Sequence, residues 1–469
     1  MRKLKSKNIY ELDSERLATT DEHGNRVYLY PEEAKGVWKE RRKFFYWFLI
    51  SVYLFLPWIN VNGKPALQVD IFNREFTFLG STLHGVEPVL FFLMIASGLF
   101  FIAFITSLLG RVWCGWACPQ TVFIQTIYWK IEALVEGSAR KRRELDQASW
   151  SMEKGVRRLV KWILFTIISL HIAHTFVGYF VGPRVLLQLT THNPSENWGL
   201  FIGTMILTAI FLLDFGWFRE QFCIIACPYG RIQSVMMDEN SLVIAYDVKR
   251  GEPRRGTVDR AGEGDCINCY NCVKVCPTGI DIRRGNQLEC IHCTQCIDAC
   301  DDIMTKLKKP KGLIRYASEN ELNGKPRKTM TLRSGIYIGI SLILISAFAY
   351  FLKASTNLNM VFLRSNIPFR VIEDGQIVLN DFKLKLTHQG SSEYKLDFRI
   401  KEEVKGEVSF ITPSRPLVLN KPEVKIIFFF RFNRDFLSGG TKIITVEALD
   451  FNTGKILAEK EVTLVGPSH

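Results

Sequence analysis

The chain has 469 residues, of which 47% are hydrophobic and 23% are charged, and its formal net charge is +13. The apolar residues are concentrated in a few long runs, which is typical of a polytopic membrane protein and argues against one large soluble core. The basic residues lie mostly in loops beside those runs, without a nucleic-acid-binding motif, so the positive charge indicates membrane topology and argues against nucleic-acid binding.

Residues 1–43 form a polar segment that ends in a basic cluster of Lys35, Lys39, Arg41, Arg42 and Lys43. Five apolar runs follow, at about 44–59, 89–109, 162–182, 200–218 and 336–352. A helix needs about 17–25 residues to cross the hydrocarbon core, so each run is predicted to be a transmembrane α-helix, of which the first is short. The sequence therefore predicts a four-helix membrane region over 44–218 and a fifth transmembrane helix over 336–353.

The lysines and arginines orient these helices. The loop 110–160 carries nine of them, whereas the loop 60–88 has only Lys64 and Arg74 and the loop 183–199 has only Arg184. Because cytoplasmic loops carry the excess of basic residues, residues 1–43, the loop 110–160 and the segment 219–335 are predicted to be cytoplasmic. The C-terminal region would then be periplasmic, in a multi-pass protein of the bacterial inner membrane.

All twelve cysteines lie between Cys114 and Cys300, on the predicted cytoplasmic side, where thiols persist as metal ligands. Eight of them form two C-x2-C-x2-C-x3-C quartets, at 266–276 and 290–300. This spacing predicts a two-cluster bacterial ferredoxin-like α+β domain at about 262–305, although Asp301 stands where the bacterial pattern has proline. Zinc knuckles are the alternative, but zinc does not need the x2-x2-x3 run.

The ligand sets of the two 4Fe–4S clusters follow from that pattern, because the fourth cysteine of each quartet reaches the other cluster. One cluster is expected on Cys266, Cys269, Cys272 and Cys300. The other is expected on Cys290, Cys293, Cys296 and Cys276.

The remaining four cysteines form a repeat. WCGWACP at 113–119 and FCIIACP at 222–228 share the form aromatic-Cys-x3-Cys-Pro, and each begins at the cytoplasmic end of an even-numbered span. Brought together, Cys114, Cys118, Cys223 and Cys227 would make a four-thiolate site at the membrane surface, suited to Cu(I), zinc or another iron–sulfur centre. Buried packing thiols are the alternative.

Two histidines and the C-terminal region complete the pattern. His171 and His174 lie on one face of the third span, where they are weak candidates for haem or copper ligation or proton handling, or simply pack in hydrogen-bonded form. Residues 354–469 contain short β-rich stretches between turn signals and no cysteine. They predict a periplasmic all-β immunoglobulin-like sandwich.

This order of elements resembles the FixG/RdxA/CcoG family of cytochrome c oxidase accessory proteins, as do YDVKRGEPRRG at 246–256 and LYPEEAKGVWKERRKF at 29–44. The resemblance implies an oxidoreductase that reduces Cu(II) to Cu(I) for copper delivery during assembly of a cbb(3)-type oxidase. Its partners would be copper ions or a copper chaperone and the oxidase assembly machinery, and the four C-x3-C-P cysteines would bind and reduce copper.

Two other functions remain open from the sequence. One is a quinol dehydrogenase membrane subunit resembling NapH, and the other is a non-catalytic assembly factor whose clusters only hold the fold. The sequence does not show the electron donor. No G-x-G-x-x-G or P-loop motif is present, so bound NAD, FAD or ATP is not indicated.

Overall fold

The computed structural model describes residues 19–20, 23, 25–61, 64–70, 75–78, 81–84, 88–255, 262–354, 358–365, 369–372, 376–388, 394–401, 407–419, 423–437 and 439–467. The predictions made above for residues 1–18, for Arg74 and for Gly256 lie outside these residues. The chain divides into two compact units, Met1–Trp58 with Leu93–Ile345, and Ile59–Phe92 with Ser346–His469.

The α-helices are α1 (Val37–Phe55), α2 (Pro88–Leu109), α3 (Val112–Trp116), α4 (Pro119–Phe123), α5 (Trp129–Val135), α6 (Ala139–Gln147), α7 (Met152–Val181), α8 (Pro183–Thr191), α9 (Trp198–Phe211), α10 (Pro228–Met236), α11 (Val248–Gly251), α12 (Asn271–Lys274), α13 (Gln295–Lys306), α14 (Glu319–Leu322) and α15 (Leu332–Ala354). Wider π-helical turns occur at Ile124–Tyr128, Leu212–Phe218 and Phe222–Ala226. Short 3-10 turns occur at Leu56–Trp58, Pro194–Asn197, Ile282–Arg284 and Arg434–Phe436.

Four helices in the described part of the chain are long and apolar enough to cross a membrane, at Val89–Leu109, Met152–Val181, Pro194–Phe218 and Leu332–Phe351. They contain the second to fifth predicted runs. The predicted first span lies in α1, which begins within the basic cluster and is not among the four, so a fifth span stays a prediction.

Helix α7 begins earlier than its apolar run indicated. It starts at Met152, where the Ser151 side chain accepts a hydrogen bond from the backbone N–H of Lys154 at 3.2 Å, and it ends at Gly182, whose φ is +89°. The added turns carry charged side chains that the rest of the unit satisfies, since Lys161 pairs with Glu136 at 2.8 Å. A hydropathy pattern cannot identify such a polar extension, because it leaves out the ion pairs that stabilise it.

The loop 110–160 is largely helical, and part of it packs into the first unit's core. The segment from α4 through the π turn to α5 contributes Val122, Phe123, Ile124 and Tyr128 to an apolar cluster. Tyr46 of α1 and Phe165 of α7 complete the centre of that cluster. The cysteine motif that opens α4 is therefore attached to a well-packed helix.

The quartet segment is built on a two-stranded antiparallel sheet, in which β6 (Val243–Tyr246) pairs with β7 (Ile314–Ala317). Helices α12 and α13 carry the third cysteine of each quartet, Cys272 and Cys296. An apolar cluster that includes Ile244 and Met304 surrounds the cysteines. Four of the eight quartet cysteines are buried, and the other four are half-buried.

The second unit consists mainly of β-strands, and the start of α2 and the end of α15 also belong to it. Strands β1 (Asn60–Val61) and β2 (Lys64–Pro65) pair with each other, and β3 (Leu67–Asp70), β4 (Glu75–Phe78) and β5 (Ser81–His84) form a meander. The C-terminal strands are β8 (Leu358–Arg364), β9 (Arg370–Ile372), β10 (Ile377–His388), β11 (Tyr394–Ile400), β12 (Val408–Ile411), β13 (Leu417–Leu419), β14 (Glu423–Asn433), β15 (Thr441–Asp450) and β16 (Ile456–Val465).

These C-terminal strands form two antiparallel sheets. One has the order β12-β14-β10-β8, with β9 also paired to β10, and the other has the order β13-β11-β15-β16. One apolar cluster takes side chains from both sheets, for example Phe428 of β14 and Phe398 of β11. The predicted all-β character is thus present, and an immunoglobulin-type fold stays a prediction.

Candidate functional site

Two small cavities in the quartet segment are lined by cysteines. The first is lined by Cys266, Cys269, Cys272 and Cys300. The second is lined by Cys276, Cys290, Cys293 and Cys296, and also by Cys272, which lines both cavities. In each cavity the fourth cysteine of one quartet lies with the first three of the other, which is the grouping that two interleaved clusters need.

The same local conformation shapes both quartets. Each quartet has two non-glycine residues in the left-handed region, one just before its second cysteine and one just after it. Their φ angles are +55° at Asn268 and +57° at Tyr270 in the first quartet, and +52° at His292 and +64° at Thr294 in the second. Non-glycine residues adopt this region at a cost and typically do so at functional sites. The repeated conformation curls each loop around its cavity.

Burial makes these thiols hard to ionise on their own. It raises the pKa of Cys276 to about 11 and, together with the charges of Cys266 and Cys269, that of Cys300 to about 12. A cationic metal core reverses this preference, because it favours the thiolate. Four soft sulfur ligands in a largely apolar environment therefore fit one 4Fe–4S cluster per cavity.

A preformed site for a single metal ion is not found in the described part of the chain. No group of three or more His, Cys, Asp or Glu side chains there could hold such an ion. Copper would therefore have to draw any thiol ligands together on binding.

The four remaining cysteines occupy matching positions in the two C-x3-C-P motifs. Cys118 and Cys227 are the residues just before α4 and α10, both in extended conformation, with proline opening each helix. Cys114 lies in α3, and Cys223 lies in the π turn Phe222–Ala226. The predicted repeat is therefore also a repeat of local structure.

The tertiary structure brings the two motifs together, since the Cys114 thiol donates to Oε1 of Gln233 in α10 and Arg111 donates to the carbonyl of Gly230. Burial raises the pKa of Cys223 well above its ordinary value, and the charges of Cys118, Cys114 and Cys227 raise it further. Burial and the charge of Cys118 likewise raise the pKa of Cys114 to about 12. These four residues are called the four-thiol site below.

Polar groups around the four-thiol site favour charged sulfur. The backbone N–H groups of Gln120 and Thr121 at the start of α4 donate to Cys118 and oppose the rise in its pKa that burial causes. The Cys114 thiol donates to Oε1 of Gln233 at 3.5 Å, while Nε2 of this fully buried glutamine has no hydrogen-bond partner among the described residues. Rotation of the amide would offer that N–H to a Cys114 thiolate.

The first C-x3-C-P motif packs directly on the second quartet. Gly115 lies so close to this quartet that an added Cβ would overlap the carbonyl oxygen of Ile291. A Cβ added at Gly110, whose φ is +59°, would lie 2.8 Å from Cε1 of His292, and the backbone N–H of Arg111 donates to Nδ1 of His292 at 3.0 Å. The four-thiol site and the second quartet are thus adjacent within one unit.

Two buried arginines also contact the second quartet through its backbone. Arg42 donates to the carbonyl of Cys293, and Arg111 donates to the carbonyls of Leu288 and Cys290. Arg111 also donates to the carbonyl of Gly230 in α10 and so joins the two C-x3-C-P motifs. Both arginines are at most 6% exposed, and neither has an ion-pair partner in the described part of the chain.

Sequence reasoning treated these residues only as members of basic loops and of a cysteine motif. Nothing in a single sequence separates a buried arginine from a solvated one, so Arg42 and Arg111 carried no signal. Gly115 has the same status, because its close approach to Ile291 is a tertiary contact.

The two histidines are not brought to either centre. His171 is exposed and His174 is half-buried on α7, and neither joins a described metal-binding group. Asp214, near the end of the fourth predicted run, accepts a hydrogen bond from Nε2 of Gln120 at 2.9 Å and so links that span to α4. Roles for the two histidines in binding haem or copper stay weak predictions.

Comparison with known proteins gives matches to two family models. Residues 218–319 match a 4Fe-4S dicluster domain, and residues 90–138, which contain only the first C-x3-C-P motif, match a 4Fe-4S binding domain. Both models describe iron–sulfur proteins.

Several curated relatives are similar over much of the chain. Protein RdxA of Cereibacter sphaeroides is 36% identical over 78% of this chain and 81% of its own length. Nitrogen fixation protein FixG of Rhizobium meliloti is 37% identical over 62% of this chain and 57% of its own. Ferredoxin-type protein NapH of Escherichia coli is 23% identical over 52% and 78%, respectively.

One solved structure is also similar, a FixG-related protein from Vibrio parahaemolyticus. It is 16% identical, and the match covers 24% of this chain and 97% of that one. Its TM-score of 0.19 is too low to indicate a shared fold.

Proposed function

The chain belongs to the family of RdxA and FixG and is an iron–sulfur electron-transfer protein, and from this premise we propose that it reduces Cu(II) to Cu(I) at the four-thiol site. The Cu(I) would serve copper delivery during assembly of a cbb(3)-type cytochrome c oxidase. The protein would act in the bacterial inner membrane, with its clusters in the cytoplasm and its immunoglobulin-like sandwich in the periplasm.

One observation carries the proposal: the four-thiol site lies against the second quartet. The eight quartet cysteines already account for two clusters, so these four thiols have no part in the ferredoxin pattern. Their contact with the quartet through Gly115 and Arg111 supports a soft-ligand site that would lie beside a redox centre.

The residues of the four-thiol site suit copper as a substrate. Thiolates stabilise Cu(I) over Cu(II) and so make the one-electron reduction of Cu(II) easier. Because burial keeps Cys114 protonated, copper binding would release its proton, and the Gln233 amide could then stabilise the thiolate. The N–H groups at the start of α4 would do the same for Cys118.

The quartets would hold the redox groups. We assign one 4Fe–4S cluster to Cys266, Cys269, Cys272 and Cys300 and the second to Cys290, Cys293, Cys296 and Cys276, which the cysteine groupings of the two cavities support. When bound, such clusters take up and release single electrons. The protein's own contribution is the apolar environment and the close packing of Gly115 on Ile291.

The proposal is tested on reduced protein, so that no free reductant can act on copper. The purified protein is reduced anaerobically, desalted, mixed with Cu(II), and assayed for Cu(I) with a Cu(I)-specific chelator. About two Cu(I) per chain are expected, one for each one-electron cluster. Replacing Cys223 and Cys227 by serine should abolish most of this yield while iron stays near the level of the unchanged protein.

A matched double variant serves as the control. His171→Ala with His174→Ala removes the other predicted soft or borderline ligands and should leave copper reduction intact. Copper reduction that survives in the cysteine variant would refute the four-thiol assignment.

A third iron–sulfur centre is the competing role for these cysteines, and the match of residues 90–138 to a 4Fe-4S binding domain favours it. In that case the cysteine variant would lose iron together with copper reduction. The NapH likeness keeps quinol oxidation as an alternative activity, which reduction of the clusters by a quinol would support. A non-catalytic assembly factor would give neither result.

A further inference from the structure

A large cavity opens beside the second quartet. Its volume is about 1280 Å³, which exceeds the roughly 300–1,000 Å³ that ligand pockets usually have. One wall is the chain from Pro31 to Tyr46, and the other runs from Gln125 to Arg142, with Gln295 between them. All of these residues belong to the first compact unit.

The cavity is strongly basic. Three glutamates and eight basic side chains line it, the latter being Lys35, Lys39, Arg41, Arg42, Lys43, Lys130, Arg140 and Arg142. The glutamates are already engaged, since Glu33 pairs with Lys39, Glu40 with Lys43 and Glu32 with Arg143. The cavity therefore keeps an excess of positive charge.

Some of those cations have no carboxylate partner in the described part of the chain. Lys130 lies 4.9 Å from the centre of the Trp47 ring, and Arg41 lies 5.6 Å from that of Trp38. Stacking on aromatic rings leaves the N–H groups of both cations free to bind an anion.

Two buried polar atoms on the wall have no hydrogen-bond partner within the part of the chain that the structure describes. Thr126 is 4% exposed and Arg142 is 7% exposed, yet Oγ1 of the first and Nε of the second are unpaired among the described residues. An unsatisfied buried group costs about 1–3 kcal/mol, so the described protein groups leave this wall incompletely hydrogen-bonded. Thr126 lies in the π turn Ile124–Tyr128, and π turns are frequent at functional sites.

The cavity touches both redox-related sites. Arg42 donates to the carbonyl of Cys293, and Gln295 directly precedes Cys296. Tyr46 donates from its hydroxyl to the carbonyl of Gly115 in the four-thiol motif. A ligand in this cavity would therefore lie next to residues that contact both centres.

We propose that this cavity binds a phosphate-bearing redox molecule of the flavin mononucleotide class. Arginine and lysine match the phosphate, and the partly exposed ring of Trp129 provides an aromatic surface for a planar ring system. A neutral quinol headgroup would leave the cations without a role. An anionic phospholipid headgroup shares the phosphate chemistry but not the planar ring.

Binding is measured by equilibrium dialysis of flavin mononucleotide against the full-length, cluster-loaded protein in detergent. One molecule per chain is expected, and riboflavin, which lacks the phosphate, should bind at least about tenfold more weakly. Arg41→Ala with Lys130→Ala should weaken flavin mononucleotide binding by about tenfold or more. Lys311→Ala, which removes an exposed lysine outside the cavity, is the matched control and should change nothing.

Three outcomes would overturn the proposal. One is absence of flavin mononucleotide binding, or binding that Arg41→Ala with Lys130→Ala leaves unchanged. Another is inorganic phosphate that binds the cavity with the same affinity as flavin mononucleotide. The ring system would then contribute nothing to binding. The last is that Arg41→Ala with Lys130→Ala weakens only the binding of phosphatidylglycerol vesicles. That result would assign the cavity to a lipid headgroup.

The proposal stands apart from copper reduction. Replacing Cys223 and Cys227 by serine should leave flavin mononucleotide binding unchanged even where copper reduction is lost. A failure of the copper assignment and a failure of the cavity assignment are therefore distinguishable.

Discussion

Replacing Arg111 by glutamine should lower the midpoint potential of the cluster that we assign to the second quartet. The guanidinium is buried, lies within hydrogen-bond distance of the Cys290 carbonyl and has no carboxylate partner among the described residues. A buried positive charge stabilises the reduced, more negative form of a nearby cluster. Its removal therefore makes reduction harder.

The size of the shift follows from Coulomb's law. Two unit charges about 7 Å apart in an effective dielectric constant of about 20 interact by roughly 2.4 kcal/mol. For a one-electron couple, roughly 1.4 kcal/mol and 59 mV both correspond to a factor of ten, so the potential should fall by about 100 mV. The cluster of the other cavity should shift much less, because no described contact joins Arg111 to the cysteines that line it.

The assay is an anaerobic redox titration followed by electron paramagnetic resonance, with iron per chain measured on the same samples to confirm that both clusters are present. Arg111→Lys keeps the charge and should shift the potential by less than half as much. Lys311→Met removes an exposed charge and is the matched control. If Arg111→Gln keeps its iron and its potentials match those of the control, the electrostatic reasoning is refuted.

Four further predictions follow from the two centres and the topology. Anaerobically purified protein should contain about eight irons per chain and no zinc, as two cubes on eight cysteines require, and a zinc-loaded protein without a reducible signal would contradict this. Gly115→Ala should destabilise the first unit by about 1–3 kcal/mol in denaturant unfolding, because the added methyl group meets the quartet backbone. Gly98→Ala, whose methyl group meets nothing within 4 Å, is the control and should not destabilise it. Equal effects of the two substitutions would contradict the close packing. In metal-free protein at pH 8, alkylation of Cys114, measured by mass spectrometry, should be far slower than alkylation of an unfolded thiol, because burial raises the pKa of Cys114. The rate should increase as the pH rises toward about 12. Equal rates for the two thiols would show that Cys114 is not buried. Reporters fused near residue 150 and after residue 469 should be cytoplasmic and periplasmic, respectively, and the reverse result would invert the assigned orientation.

Local features of the chain were readable without the tertiary structure. Four of the five apolar runs lie in helices long enough to cross a membrane, because twenty consecutive apolar residues have few other stable arrangements in water or lipid. The β-rich stretches at 382–388 and 424–432 lie within β10 and β14, since alternation along a strand is a local pattern. Cysteine spacing likewise identified the iron–sulfur segment, which a family model matches.

The sequence alone therefore identified the iron–sulfur segment and four of the helices that are long and apolar enough to cross a membrane, because spacing and hydropathy act over neighbouring residues. Only the tertiary structure decided that two motifs more than a hundred residues apart meet beside the second quartet, that Arg42 and Arg111 are buried there, and that a basic cavity opens next to them. These three features depend on packing between segments that are distant in the sequence. The contact of Gly115 with Ile291 and the hydrogen bonds of Arg111 to backbone carbonyls are examples of that packing. A linear pattern contains no record of such contacts.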